Sequence, residues 1–282
     1  MNKSILFLIL LSFGLVAALY SLPKIIVNNE KKGALLGSAN RDKSKNETTK
    51  PVEAHEEEDE HTAALTVEQQ NQINTLKAAY NGAAASNQTK AAENLINSFA
   101  EFQKFDSAAF YAEKLAIKNP TEKSWIAAAD LYYQAFTFAV DNGKGLKMGE
   151  KSREYYQKAL EKNPNLLLAK TNMAMTYVST PTPMQGILLL REVVAQSPDF
   201  EPAVFNLGLL SMRSNQFSKA AERFKHLVNN NSKNTKAAFY LGVSLARLGR
   251  NAEAKEVLEK VKIADKDPAI QAEIDILLKE LK

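Results

Sequence analysis

Pro164 and Pro198 stand 34 residues apart, and the sequence between them reads as two amphipathic helices joined by a turn. A helical pair of that size cannot bury its apolar face alone. It becomes stable by stacking on neighbours, so a chain with this period builds a row of pairs around a continuous core. Stacked pairs make a long concave surface, which directs the search for function toward binding rather than catalysis.

The period can be followed along the chain. Glu201 to Asn234 carries Val204, Asn206, Leu207, Gly208 and Leu210 on its first helix, then Ala220 and Phe224 on its second. Thr235 to about Pro268 repeats this with Tyr240, Leu241, Gly242, Ala254 and Leu258. Leu167 to Phe200 has Ala174, Tyr177, Gly186, Leu190 and Pro198; Thr89 to Glu122 has Leu95, Phe99, Ala108 and Pro120, with Ile96 where a small residue is expected. The small positions lie where paired helices cross, and bulk there would push the backbones apart. One unit is longer, with 44 residues from Pro120 to Pro164. Its pattern predicts helices over Lys123–Val140 and Leu146–Lys162, joined by a glycine-rich turn at Asp141-Asn142-Gly143-Lys144-Gly145.

From about Thr89 to Lys266 this pattern resembles the tetratricopeptide repeat family. The resemblance implies an all-α fold, a right-handed α-solenoid of about five helix pairs. Thr66 and Gln69 form a capping-box pair at the start of a helix over about Val67–Tyr80, which serves as the N-terminal cap. Pro268 opens a closing helix whose Ile270, Ile274, Leu277 and Leu278 cover the last repeat.

The N-terminus differs in kind. Ile5 to Leu22 is apolar apart from Ser12, Gly14 and Ser21 and carries no charge. As a helix it spans about 27 Å, close to the thickness of bilayer hydrocarbon. We read residues 1–27 as a single-pass anchor. A cleaved leader ending near Val16-Ala17-Ala18, which would release a soluble protein, is the alternative. The anchor reading places the soluble part outside the cytoplasm, in the periplasm if the source is bacterial, although Lys24, Lys31, Lys32 and Arg41 pull the other way. Residues 28–64 are polar and read as a disordered charged linker, first basic and then acidic from Glu53 to Glu60. Residues 65–86 form the N-terminal cap and 87–282 the array with its closing helix.

Nothing in the sequence points to catalysis, a metal or a cofactor. There is no Cys, and the His residues are His55, His61 and His226. His55 and His61 flank an acidic run in a segment that fixes no ligand geometry. Gly143-Lys144-Gly145 lacks the spacing of a phosphate loop. A formal charge of +4 without a dense basic stripe does not suggest nucleic acid, and no small-molecule substrate is expected.

The resemblance implies that a protein or peptide partner binds the inner face, chiefly through set positions of each first helix. Carried onto this chain, those positions are Asn172, Met175 and Val178, then Phe205, Asn206, Leu209, Met212 and Arg213, then Lys236, Phe239, Tyr240, Val243 and Arg247. One subfamily grips a C-terminal carboxylate with five residues, of which only Asn206 and Lys236 are matched; Thr171, Met175 and Tyr240 stand at the others. The expected role is a membrane-anchored adaptor for an apolar and acidic segment, with a self-assembling module as the alternative.

Overall fold

The computed structural model describes residues 64–281, which form twelve α-helices and no strand. The expected anchor and all but the last residue of the expected linker lie outside the described residues. Among the described residues no helix is long and apolar enough to cross a membrane. They divide into two compact units, 64–164 and 165–281, a boundary that falls within the single array expected over 87–282.

The first unit contains α1 (Val67–Gly82), α2 (Gln88–Glu101), α3 (Phe105–Lys118), α4 (Glu122–Thr137) and α5 (Asn142–Lys162), each packed against the next. At α1, Thr66 Oγ1 accepts from the Gln69 amide at 3.2 Å and the Gln69 side chain accepts from the Thr66 amide at 3.0 Å. Two otherwise orphaned donors are thereby satisfied. The glycine-rich segment differs from expectation. Asp141 Oδ1 accepts from the Lys144 amide at 2.6 Å and caps a helix that starts at Asn142. Gly143, Lys144 and Gly145 therefore lie in the first turn of α5, not in a loop. The cap, worth about 0.5–2 kcal/mol, offsets much of the cost of two helical glycines at about 1 kcal/mol each, and packing of α5 on α4 supplies the rest.

A polar clasp joins α3, α4 and α5. Glu113 on α3 accepts hydrogen bonds from Tyr132, from Tyr155 at 3.0 Å and from Lys151 at 2.7 Å. The two tyrosine rings stack with centroids 6.1 Å apart. Burial disfavours the ionised carboxyl, but the bonds from Lys151, Tyr132 and Tyr155 together outweigh it and hold Glu113 below the usual carboxylate range. Burial first, and then the Glu113 carboxylate, push both phenols far above their ordinary value.

The second unit contains α6 (Leu167–Val178), α7 (Pro183–Gln196), α8 (Glu201–Arg213), α9 (Phe217–Asn230), α10 (Thr235–Arg247), α11 (Asn251–Ala264) and α12 (Pro268–Glu280). These are three helix pairs and then a closing helix, again packed in sequence order. Each pair closes around a glycine. A Cβ on Gly208 would lie 2.6 Å from the Phe224 ring, and one on Gly242 would lie 2.7 Å from Leu258. At Gly186 it would meet the Ala174 carbonyl oxygen at 2.3 Å. Phe224 and Leu258 are fully buried, so neither can retreat into solvent. On α12, Ile270, Ile274 and Leu277 are buried and Leu278 is half-buried.

One turn geometry recurs in both units. Gln103, Asn215 and Gly249 have positive φ at 56°, 58° and 74°. After each, the next amide reaches back five residues: Lys104 to Phe99, Gln216 to Ser211 and Arg250 to Leu245. This 6→1 bond terminates α2, α8 and α10 and starts the partner helix at a fixed angle.

Two outcomes are expected in urea unfolding monitored by circular dichroism. Gly208→Ala should lose about 1–3 kcal/mol to overpacking, whereas Gly82→Ala, with nothing within 4 Å, should be neutral or gain up to about 1 kcal/mol. Glu113→Gln should destabilise the protein near neutral pH by about 1–3 kcal/mol. Because the folded pKa of Glu113 is depressed, its contribution is fully present above the unfolded carboxyl pKa and fades as pH falls through the folded value. The wild-type and Glu113→Gln stabilities should therefore converge in acid.

Candidate protein-binding face

The first helices of the three pairs in the second unit are α6, α8 and α10. α6 touches α8, and α8 meets α10 through Phe205 and Tyr240, whose rings stand edge to face at 5.5 Å. Phe205 also meets the Phe224 ring edge-on at 5.5 Å, and Phe224 stacks on Tyr240 at the same spacing. This three-ring cluster ties the α8–α9 pair to α10, and each aromatic pair adds about 0.5–1.5 kcal/mol beyond area burial. Phe239 packs beside it, 5.4 Å from Tyr240.

The polar groups lie at both ends of this face. Asn206 Nδ2 donates to the Pro202 carbonyl at 2.9 Å, which leaves its Oδ1 to accept from a partner. Lys236 is half-buried. Burial pulls its ammonium below the usual lysine range, against the opposing fields of Glu201 and Asp265. Arg247 stands over the Phe217 ring at 5.7 Å, and its buried Nε has no hydrogen-bond partner. Burial also lowers Arg247, with Glu280 acting the other way, but a guanidinium keeps its charge. Arg213, one period earlier, is exposed.

A tetratricopeptide-repeat family model matches residues 236–264, the span of α10 and α11. The fold is similar to a crystal structure of a tetratricopeptide repeat protein from Parabacteroides merdae ATCC 43184. That similarity has a TM-score of 0.56 at 16% identity and covers 76% of this chain and 79% of the other. It is also similar to a thermophilic protein of this class from Thermus thermophilus, with a TM-score of 0.50 at 15% identity, over 68% of this chain and 99% of that one. Residues 236–264 thus match a tetratricopeptide repeat, and the described residues share the fold of solved tetratricopeptide-repeat structures. No curated protein sequence matches the chain.

With the repeats in place, the residues expected on the binding face fall into two groups. Met175, Met212, Phe239, Tyr240 and Val243 are buried; Phe239 is 4% exposed and Tyr240 2%. These five side chains contribute to packing in the repeat core. Asn172, Val178, Phe205, Asn206, Leu209, Lys236 and Arg247 are half-buried, and Arg213 is exposed. The carboxylate grip of the subfamily is not assembled, since Thr171, Met175 and Tyr240 are buried and Thr171 donates to the Leu167 carbonyl. His226, read as a lone residue of the helix surface, has Nε2 2.8 Å from Asp199. The repeat spacing does not reveal Phe217 as the platform under Arg247. One period away stand Pro183 and Asn251, so no aromatic recurs there.

Phe239→Ala should cost about 3–5 kcal/mol by leaving a cavity among buried rings. Arg213→Ala should change stability by no more than about 0.5 kcal/mol. Thermal melts of the two variants, recorded by circular dichroism, provide the comparison.

Proposed function

We propose that this chain is a non-catalytic adaptor, held at a membrane by Ile5 to Leu22, whose face on α6, α8 and α10 captures a protein or peptide segment. The observation that carries this reading is the composition of the half-buried and exposed residues of this face. Phe205 and Leu209 offer apolar contact, Asn206 offers an acceptor for a peptide amide, and Arg213 and Arg247 offer charge one repeat apart. An extended or helical segment with apolar and acidic residues matches that arrangement. Tethering at a bilayer raises the local concentration, so modest affinity suffices. The anchor rests on the length and composition of the apolar run and the outward orientation on the usual behaviour of such anchors.

A second reading is assembly of the chain with copies of itself. It is favoured by Ile263 and Ile276, which are 73% and 52% exposed at the end of the array, where a terminal cap normally presents polar residues.

Full-length protein in mild detergent separates the two. Leu209→Arg with Arg213→Glu should abolish capture of the partner by chemical crosslinking while the helical circular dichroism signal stays intact. Capture at the wild-type level would refute the adaptor reading. Light scattering that shows an oligomer dissociated by Ile276→Glu would establish the second reading.

A further inference from the structure

The first unit carries an apolar patch whose cations have no acidic partner. Phe110, Lys114 and Ile117 follow one another on α3 at intervals of four and three residues, so they share one face of that helix. Phe110 is 48% exposed and Ile117 is 67% exposed. The Tyr111 ring meets Phe110 edge-on at 5.3 Å and stacks on Phe99 of α2 at 5.7 Å. Lys114 Nζ stands 4.5 Å from the Phe110 ring centre, and Lys77 Nζ of α1 stands 5.6 Å from that of Phe99. Among the described residues neither ammonium is within ion-pair distance of a carboxylate. The nearby acid on α3, Glu113, is engaged by Lys151 and two tyrosines.

The closing helix carries the complementary set. Ile276 on α12 is 52% exposed. Glu273 precedes it by three residues and Glu280 follows it by four, which puts both carboxylates on one flank of Ile276, two turns apart. Lys279 stands on the other flank. Burial raises the Glu273 carboxyl above its ordinary value, and the field of Glu280 raises it further. Among the described residues no cation is within ion-pair distance of either carboxylate, and Arg247 reaches Glu280 only through its field. Two like charges are thus set beside an exposed apolar side chain with nothing to neutralise them.

One surface has apolar side chains and two unpaired ammoniums; the other has an apolar side chain and two unpaired carboxylates. Joining them hides Phe110, Ile117 and Ile276 from water and gives each charge a partner. The two surfaces differ, and every copy of the chain carries both. The contact is therefore heterologous: each copy offers α12 to one neighbour and α3 to another.

We propose that copies of this chain associate head to tail, with Glu273, Ile276 and Glu280 of one copy seated on Lys77, Phe110, Lys114 and Ile117 of the next. This inference rests on the self-assembly reading above and names the surface that the exposed end of the array meets.

Sedimentation of the full-length protein in mild detergent, with micelles in excess over protein, tests it. The wild type should form oligomers that grow with protein concentration and weaken as salt rises from about 0.05 M to about 0.5 M. Lys77→Glu with Lys114→Glu should weaken association at least about tenfold, and so should Glu273→Lys with Glu280→Lys, because each double variant sets like charges against one another. Phe110→Ser should weaken it several-fold. Mixed in equal amounts, the two charge variants should reassemble, since each then finds the opposite charge on the other. Oligomers that persist in either charge variant would overturn this docking while leaving self-assembly in place. A mixture that stays dissociated, with both variants folded by circular dichroism, would do the same. A wild type that stays monomeric at every concentration would overturn both.

Discussion

The close approach of paired helices at a glycine is the constraint on which the second unit depends. At Gly186, Gly208 and Gly242 there is no room for a Cβ, and the atoms opposite are a backbone carbonyl, a buried ring and a buried leucine. This contact fixes the spacing within a pair. The spacing decides how the next pair stacks, and stacking decides which side chains of α6, α8 and α10 remain half-open. The exposure of the candidate face thus depends on atoms on the far side of the same helices.

Polar interactions play a different part in the first unit. Its longer helix pair is joined to α3 by the Glu113 carboxylate, which gathers one cation and two phenols from α4 and α5. Hydrogen bonds to a charged acceptor are stronger than neutral ones and fix geometry as well as affinity. The stacked Tyr132 and Tyr155 rings give the clasp an apolar floor. The glycine contacts act within helix pairs, whereas the Glu113 clasp ties one pair to the next.

The repeat was legible because its signals are periodic. Small residues at the crossings, prolines between units and the Thr66–Gln69 box all have one meaning wherever they occur. The start of α5 was not legible in the same way. Two glycines suggest a loop by composition, and only the hydrogen bond from the Lys144 amide to Asp141 shows that the helix already includes them. The binding face was half legible. Repeat position alone puts Phe239 and Phe205 on the same footing, yet one is buried and the other partly open. Burial depends on what packs around each ring, which repeat position does not encode. Phe217 beneath Arg247 and the Glu113 clasp escaped notice because neither recurs with the period.

The recurrent turn at Gln103, Asn215 and Gly249 has a consequence for how such a chain changes over evolutionary time. Its geometry is set by six consecutive residues and one reversed amide bond, and it makes no demand on distant parts of the molecule. A linkage so self-contained can be copied along with its helices and still work at the new location. Not every pair uses it: among the described residues no positive-φ residue lies between α4 and α5 of the long unit or between α6 and α7.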